Sequence, residues 1–280
     1  RLIIETAHDA FVGMGADGLI TDWNRQAEAL FGWSRSEAIG RPLADTIIPA
    51  GHREAHSKGL QHFIRTGQGP VLNKKIEISA LNRGGREFPV ELTIWPVRIG
   101  GTVRFNSFIH DITERKQAHE RLDKINDCFL SFGPDPNENI NSLTKLAGEL
   151  MQASCALYNR MDGNLLCSVG RWQTPADMNP PANVDGRICY DVIHRSNDKL
   201  FVVRDLLNTP YAETDPNVKP YGLQTYIGKL VKAGGVSVGT LCTVYQRDVV
   251  PGRSEEELMG IIASAVGIEE ERKQAAEEFK

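Results

Sequence analysis

The sequence predicts an α+β protein of two domains, each with a central antiparallel sheet flanked by helices. Its 280 residues exceed the roughly 150 of an average domain, and a composition of 41% hydrophobic and 24% charged residues is typical of folded cores. Both halves contain short runs in which apolar and polar residues alternate between glycine turns, which predicts antiparallel strands. Two further stretches place apolar residues at heptad spacing, which predicts helices that join and follow the domains.

Charge, hydropathy and cysteine content exclude several classes of protein. The net charge of -4 offers no basic excess for a phosphate backbone, so we expect no direct binding of nucleic acid. No apolar stretch approaches the roughly 20 residues that cross a bilayer, and no secretory signal opens the chain, so we expect a cytoplasmic piece without a membrane segment. The five cysteines form no CxxC pair, so we predict neither a disulfide framework nor a zinc site. Because the chain begins with Arg1 and ends at Lys280 in a helical run, we expect it to be part of a longer protein.

The first domain is predicted over residues 1–113 from the order of two strands, helices and three strands. Asp17-Gly18 forms a turn between two short apolar strands, and Asn24 caps the helix that follows. A longer helix is predicted over residues 52–64, with His56 on its apolar face. Period-two runs separated by paired glycines then predict strands at residues 74–81, 88–97 and 103–111.

Three motifs give this domain a family resemblance. They are Asp17-Gly18 with Asn24, the run Arg83-Gly84-Gly85-Arg86-Glu87-Phe88-Pro89-Val90-Glu91-Leu92, and the closing Asp111-Ile112-Thr113-Glu114-Arg115. With them, residues 1–113 resemble the PAS sensory domains. The resemblance implies a pocket for a small molecule between the helix at 52–64 and the strands at 74–81 and 88–97. Its expected lining residues are His56, Leu60, Phe63, Ile76, Glu77, Ile78 and Leu92.

His56 has two interpretations that the sequence leaves open. It falls where haem-binding PAS sensors carry their proximal histidine, so the resemblance implies haem as one cofactor. Where those sensors place arginines, however, this chain has His62 and Ile76. The alternative, which the sequence favours, is a core histidine hydrogen-bonded to Glu77. Any other cofactor is unknown, and we predict no metal site because His52 and His56 alone are too few ligands for zinc.

The second domain is predicted over residues 133–253. It begins with a helix at 137–151 and a hairpin that turns at Asp162-Gly163. Asp185 is predicted to cap a helix that ends at Arg195. A long loop over Asp205–Tyr221 and two strands, at residues 224–231 and 236–245, complete the domain.

This domain carries Tyr226-Ile227-Gly228-Lys229, Gly239-Thr240-Leu241-Cys242 and the loop Asn208-Thr209-Pro210-Tyr211. With these motifs, residues 124–270 resemble a GAF domain. The motifs by which GAF relatives bind cyclic nucleotides or attach bilins are missing, so we expect neither ligand. One interpretation of the Asp205–Tyr221 loop is that it covers a pocket. The other is that it is only a connection across the protein surface. The expected pocket residues are Cys189, Tyr190, Tyr211, Tyr221 and Tyr226.

Cysteine chemistry is a further open question in this domain. Cys155, Cys167 and Cys242 fall on neighbouring predicted strands, where a redox function is one interpretation. The other, which the sequence favours, treats them as small buried hydrophobic residues.

Heptad spacing predicts two helices that relay a signal, one over residues 114–132 and one over residues 254–280. In the second helix, Glu269-Glu270-Glu271 are expected on the solvent side. We therefore expect a parallel homodimer paired through both helices. The expected seam residues are Ala118, Leu122, Ile125, Phe129 and Phe132 in the first helix, and Leu258, Ile261, Ala265, Ile268, Arg272, Ala275 and Phe279 in the second.

Together these features predict the sensory part of a bacterial signal-transduction protein. No phosphate-binding loop, nucleophile elbow or catalytic His–Cys pair is present in the sequence, so catalysis is expected to belong to an effector beyond Lys280. The resemblance to PAS–GAF arrays implies a two-component histidine kinase that responds to a small ligand or to a redox or gas signal. The alternatives are a cyclic-di-nucleotide synthase such as a diguanylate cyclase, a transcriptional activator, or a dimerisation scaffold with empty pockets.

Overall fold

A computed structural model of the chain describes residues 2–5, 7–176, 178, 182–183, 186–195 and 198–278. They form two compact units, Arg1–Glu120 and Arg121–Lys280, which we call the N-terminal and C-terminal units. Each is an antiparallel sheet flanked by helices, so the predicted α+β class is confirmed. None of the described helices is long and apolar enough to cross a membrane.

The N-terminal unit is built on a five-stranded antiparallel sheet with the order β2-β1-β5-β4-β3. Its core lies between the sheet and the short helices, and β3 is an edge strand. The elements are α1 (Leu2–Glu5), β1 (Ala10–Gly15), β2 (Ile20–Trp23), α2 (Arg25–Phe31), α3 (Arg35–Ala38), α4 (Leu43–Ile47), α5 (Arg53–Thr66), β3 (Lys75–Leu81), β4 (Glu87–Ile99) and β5 (Thr102–Asp111), with a 3-10 turn at Ala50–His52 before α5.

Asn24 caps helix α2, as the sequence predicts. Its side-chain oxygen accepts hydrogen bonds from the backbone N–H groups of Ala27 and Phe11, both at 2.9 Å. The first caps α2 and the second ties that cap to β1. Gly32 ends α2 with a φ of 75°, a left-handed conformation that glycine adopts without steric cost.

The C-terminal unit contains a six-stranded sheet with the order β8-β7-β6-β11-β10-β9. Helix α6 begins in the N-terminal unit and ends in this one. The elements are α6 (Thr113–Leu130), α7 (Pro136–Leu150), β6 (Cys155–Asp162), β7 (Leu165–Trp172), β8 (Ala182–Asn183), α8 (Ile188–Arg195), β9 (Phe201–Val203), α9 (Tyr211–Thr214), β10 (Thr225–Ala233), β11 (Val236–Tyr245) and α10 (Arg253–Glu278), with a 3-10 turn at Leu206–Asn208.

The two faces of this sheet form two separate cores, because successive strand residues point to opposite faces. On one face α7 and α10 pack against Tyr158, Ile227 and Leu241. On the other, α8 and the 205–221 segment pack against Cys155, Leu157, Tyr226, Cys242 and Val244. That segment is not the irregular loop that the sequence predicts, since it contains the 3-10 turn and α9.

Helix α10 corrects one prediction about its faces. Glu269 and Glu270 are buried, with 3% and 1% exposure, rather than facing solvent. The Asn139 side-chain amide donates to Glu269 at 2.8 Å, and Arg160 lies 3.5 Å from Glu270. These polar partners allow acidic side chains to lie at the interface between the helix and the sheet.

The predicted seams are only partly outward-facing. In α10, Leu258 and Ala265 pack inside their own unit, whereas Ile261 and Ile268 are 50% and 58% exposed. In the first seam, Ile125 and Phe132 pack on the core and the outward apolar residues are Leu122 and Phe129. Asp185 and Phe279, named in the sequence predictions, lie outside the described residues.

Candidate functional site

The N-terminal unit encloses a cavity of about 590 Å³ between α5 and the β3 edge of the sheet. The structure brings six of the seven predicted pocket residues to its wall: His56, Leu60, Phe63, Ile76, Glu77 and Ile78. The remaining lining residues are Met14, Ile48, His52, Ala55, Gly59, Gly69, Pro70, Val71, Leu72, Ser79, Ile94 and Phe105. Two of these lining residues, Ala55 and Gly59, are small residues of α5.

The cavity wall is mainly apolar, with a few polar groups. Phe63 and Phe105 meet edge to face, with their ring centroids 5.1 Å apart. His56 is half-buried, and burial lowers the pKa of its imidazole. Because burial disfavours the charged form, the ring is neutral at neutral pH and can donate or accept one hydrogen bond.

Leu92, the seventh predicted residue, lies in the core rather than at the cavity. It is 7% exposed and pairs in register with Ile76 and Ile109 on the neighbouring strands. Leu92 therefore lies beside Ile76 on the neighbouring strand. Ile94, two residues along the same strand, lines the cavity instead.

Glu77 is at the cavity wall, but its carboxylate is engaged elsewhere. Arg115 donates to it at 2.6 Å and the Lys116 ammonium lies 3.2 Å away. Among the described hydrogen bonds none joins it to His56, so the predicted bond between the two is wrong. The physical reason is strand alternation: Ile76 and Ile78 point to the cavity, and Glu77 between them points to the opposite face.

On that opposite face, acidic and basic side chains hold the first turn of α6 against the sheet. Arg115 bridges Glu77 on β3 and Glu91 on β4, and it donates to Glu91 at 3.0 Å. Lys75 pairs with Glu91 at 2.5 Å, and its hydrogen bond is the main cause of the lowered pKa of the Glu91 carboxyl. Strand β3 therefore contacts the cavity with one face and the start of α6 with the other.

The residues of the cavity do not fit a haem. His56 could supply an imidazole to the haem iron. Haem also carries two carboxylates, however, and no lysine or arginine is among the lining residues that the structure describes. At the two positions where the resemblance expects arginines, Ile76 is apolar, and His62 is exposed and does not line the cavity. Two buried carboxylates without a cationic partner would cost several kcal/mol.

We therefore expect that haemin added to the purified protein gives no Soret band that depends on His56. The visible spectra of the wild type and His56→Ala, recorded after removal of unbound haemin, test this. A sharp band in the wild type that is lost in the variant would contradict the charge argument and restore the haem interpretation.

The C-terminal unit has a much smaller cavity, of about 40 Å³, below the 205–221 segment. That volume holds about two or three water molecules. Of the five predicted pocket residues, Cys189 and Tyr226 line it, and Tyr190, Tyr211 and Tyr221 do not. The other lining residues are Leu157, Asn159, Leu166, Met178, Arg187, Ile188, Asp215, Asn217, Val218, Leu223, Cys242 and Val244.

The three displaced tyrosines lie at the edge of the same core. The Tyr211 hydroxyl donates to Asp191 at 2.6 Å, and burial raises the pKa of Tyr211 to about 12. Tyr190 stacks on His194, with ring centroids 4.0 Å apart. The Tyr211 bond fastens α9 to α8, whereas the Tyr190 contact lies within α8. The three tyrosines therefore lie beside the cavity and do not line it.

Sequence reasoning missed the polar groups of this small cavity. Asn159 is 4% exposed and Asp215 is 9% exposed, and the Asp215 carboxylate accepts from the backbone N–H of Ile188 at 3.3 Å. A signal was present for Asn159, because it is a lone amide between buried residues of the strand Cys155–Asp162. Buried amides in strands need partners, and this one lies beside two thiols.

Comparison with known families assigns both units. The PAS fold matches residues 1–112, and the GAF domain matches residues 135–269. The chain therefore carries a PAS domain followed by a GAF domain, and the predicted resemblance is confirmed.

Three relatives illustrate where such sequences occur. A protein of Azorhizobium caulinodans is 35% identical over 125 residues, which cover 45% of this chain and 17% of that protein. Sensor protein FixL of Bradyrhizobium diazoefficiens is 28% identical over 168 residues, 59% of this chain and 32% of FixL. Cell-division control histidine kinase PdhS of Brucella ovis is 30% identical over 122 residues, 44% of this chain and 12% of PdhS. The chain thus spans about a third or less of the length of these relatives.

Described residues contain no group of three or more histidine, cysteine, aspartate and glutamate side chains that could hold a metal ion.

Proposed function

We propose that this chain is the sensory region of a bacterial signal-transduction protein and that its PAS cavity binds a small, uncharged, mostly apolar molecule. The cavity of about 590 Å³ carries the proposal, since small-molecule sites typically measure about 300–1,000 Å³. Its wall offers aromatic and aliphatic surface and the neutral imidazole of His56. A ligand with one or two polar atoms would match this wall.

The first step of the relay runs through β3. A ligand that displaces Ile76 or Ile78 moves the strand whose other face holds Arg115 and Lys116 through Glu77. Because these ion pairs lie at the first turn of α6, movement of the strand changes how that helix leaves the PAS domain. Helices that pack in discrete arrangements turn such a small shift into a switch.

The later steps use a homodimer and an effector. Ile261 and Ile268 leave an apolar stripe on α10, and Phe129 lies beside them on the wall of the same groove. We propose that a second copy of the chain packs on this stripe, because its two isoleucines are seven residues apart, which is the spacing of a coiled-coil seam. We place this piece in the cytoplasm and a histidine kinase beyond it. The sensor protein FixL supports the sensory role, and the histidine kinase PdhS supports the kinase.

Ligand binding is tested by filling part of the cavity with a larger side chain. Gly59 lines the cavity on α5, and a Cβ added there meets no atom within 4 Å. Gly59→Leu should fill part of the cavity while favouring the helix by about 0.8 kcal/mol. We expect the neutral dye N-phenylnaphthylamine to bind the wild type and to bind this variant at least tenfold more weakly by fluorescence titration.

Gly51→Leu is the matched control. Gly51 lies in the turn before α5, is not part of the cavity wall, and also leaves open space around an added Cβ. It should bind the dye as the wild type does. Equal binding by both variants would show that the dye sits elsewhere, and a wild type that binds no dye would support the empty scaffold instead. A natural ligand at 100 times its Kd would stabilise the wild type by about 2.7 kcal/mol.

A further inference from the structure

Two buried thiols in the GAF domain share one hydrogen-bonding environment. Cys189 on α8 and Cys242 on β11 both line the 40 Å³ cavity. The side-chain N–H group of Asn159 lies 3.3 Å from the Cys189 sulfur and 3.8 Å from the Cys242 sulfur. Because one amide group contacts both sulfurs, the two thiols lie on the same side of the cavity, next to each other.

The surroundings favour a thiolate on Cys189. The Ser168 hydroxyl donates to the Asn159 carbonyl oxygen at 2.5 Å, which turns the Asn159 N–H groups towards the sulfurs. The Tyr226 hydroxyl lies 3.3 Å from the Cys189 sulfur. Hydrogen bonding by Cys242 is the main cause of the lowered pKa of Cys189, and it raises the pKa of Cys242.

Cys155 shows that burial alone does not produce this environment. It lies in the same core but does not line the cavity, and burial raises the pKa of its thiol to about 11. The difference between Cys155 and Cys189 is the set of hydrogen bonds to the sulfur. Reactivity of a thiol follows its thiolate form, so the two cysteines are expected to behave differently.

We propose that Cys189 and Cys242 form a reversible disulfide in response to hydrogen peroxide, which makes the GAF domain a second, redox-sensitive site. The cavity has room for a molecule of two oxygen atoms and excludes ligands of nucleotide size. The site is independent of any ligand in the PAS cavity.

The chemistry balances without another reagent. Cys189 ionises to its thiolate, which attacks one peroxide oxygen and breaks the O–O bond. The departing hydroxide combines with the proton that Cys189 released and leaves as water. Cys189 is then a sulfenic acid. The Cys242 sulfur attacks it, the S–O bond breaks, and the second hydroxide leaves as water with the proton of Cys242. The two thiols are oxidised by two electrons in total and the peroxide is reduced by two.

The disulfide would connect α8 to one face of the sheet, and α10 packs on the opposite face. Cys242 belongs to β11, and its neighbour Leu241 faces the core that α10 completes. Oxidation therefore alters the strand against which the last helix packs, which gives the modification a route to that helix.

Peptide mass spectrometry on the wild type tests the proposal first. The folded protein is treated with a small excess of hydrogen peroxide, alkylated, denatured and digested. We expect the peptides of Cys189 and Cys242 to become joined, a mass loss of about 2 Da, and recovery with dithiothreitol. Cys155 should stay reduced, and half-exposed Cys128 and Cys167 should react more slowly than Cys189.

Three variants assign the roles. Cys242→Ser should stop at the sulfenic acid, which dimedone traps on Cys189, and Cys189→Ser should give neither product. Cys155→Ser is the control and should form the disulfide as the wild type does. Oxidation of Cys128 or Cys167 before Cys189, or a Cys189–Cys242 pair that stays reduced in the wild type, would overturn the proposal whether or not the variants fold.

Discussion

Gly267→Ala is expected to lower the free energy of unfolding of the GAF domain by up to about 2 kcal/mol and to loosen α10 from the sheet. A Cβ at Gly267 would lie 2.1 Å from the backbone oxygen of Lys232 on β10. A backbone carbonyl cannot rotate away as a side chain can, so the helix or the strand must move. Overpacking of this kind costs about 1–3 kcal/mol, from which the helix-favouring effect of alanine subtracts roughly 1 kcal/mol.

Gly260→Ala is the matched control on the same helix. Its added Cβ meets no atom within 4 Å, so only the helix preference remains and the variant should gain up to about 1 kcal/mol. Urea unfolding and hydrogen exchange over Arg253–Glu278 measure both effects. Equal midpoints for the two variants would mean that α10 does not approach β10 as closely as the structure describes.

The strands and turns of the PAS domain were predictable because their signals are local. Asn24 caps α2 through its own side chain, and Gly32 takes the positive φ that ends it. The PAS resemblance implied where the pocket lies. Its wall agrees with the periodicity of the sequence, since Ile76 and Ile78 alternate on β3 and Leu60 and Phe63 share a face of α5. Six of the predicted pocket residues therefore line the cavity, whereas its twelve other lining residues were not predicted.

What was missed depends on long-range contacts. The sequence cannot say that Asn139 and Arg160 will lie beside Glu269 and Glu270, so three consecutive glutamates read as a solvent face. Strand alternation would have directed Glu77 away from His56, but its partner Arg115 is 38 positions away in the chain.

The GAF pocket was missed for a similar reason. The tyrosines were chosen as polar aromatic residues near the 205–221 segment, yet Tyr211 turns to Asp191 and leaves the cavity to smaller side chains. Which residues face the cavity depends on how α8 and the 205–221 segment pack over it. The spacing of residues along the chain does not predict this packing.

Ile261→Glu combined with Ile268→Glu is expected to weaken homodimerisation by at least 100-fold. Ile261 and Ile268 are one heptad apart and are 50% and 58% exposed on a groove of about 950 Å³ in the C-terminal unit. An isoleucine buried at an interface contributes about 1.5–3 kcal/mol, and a parallel dimer would bury each of them twice. The double variant also places carboxylates opposite each other, which adds repulsion.

Sedimentation velocity over a concentration series measures this effect directly. Gln274→Glu is the control, because it adds a negative charge to an exposed position of α10 beside the stripe rather than on it. It should leave the dimer within a factor of about three, equivalent to less than 1 kcal/mol. A wild type that remains monomeric at tens of micromolar, or a double variant that dimerises as tightly as the wild type, would remove the stripe from the relay and leave α10 to act within a single chain.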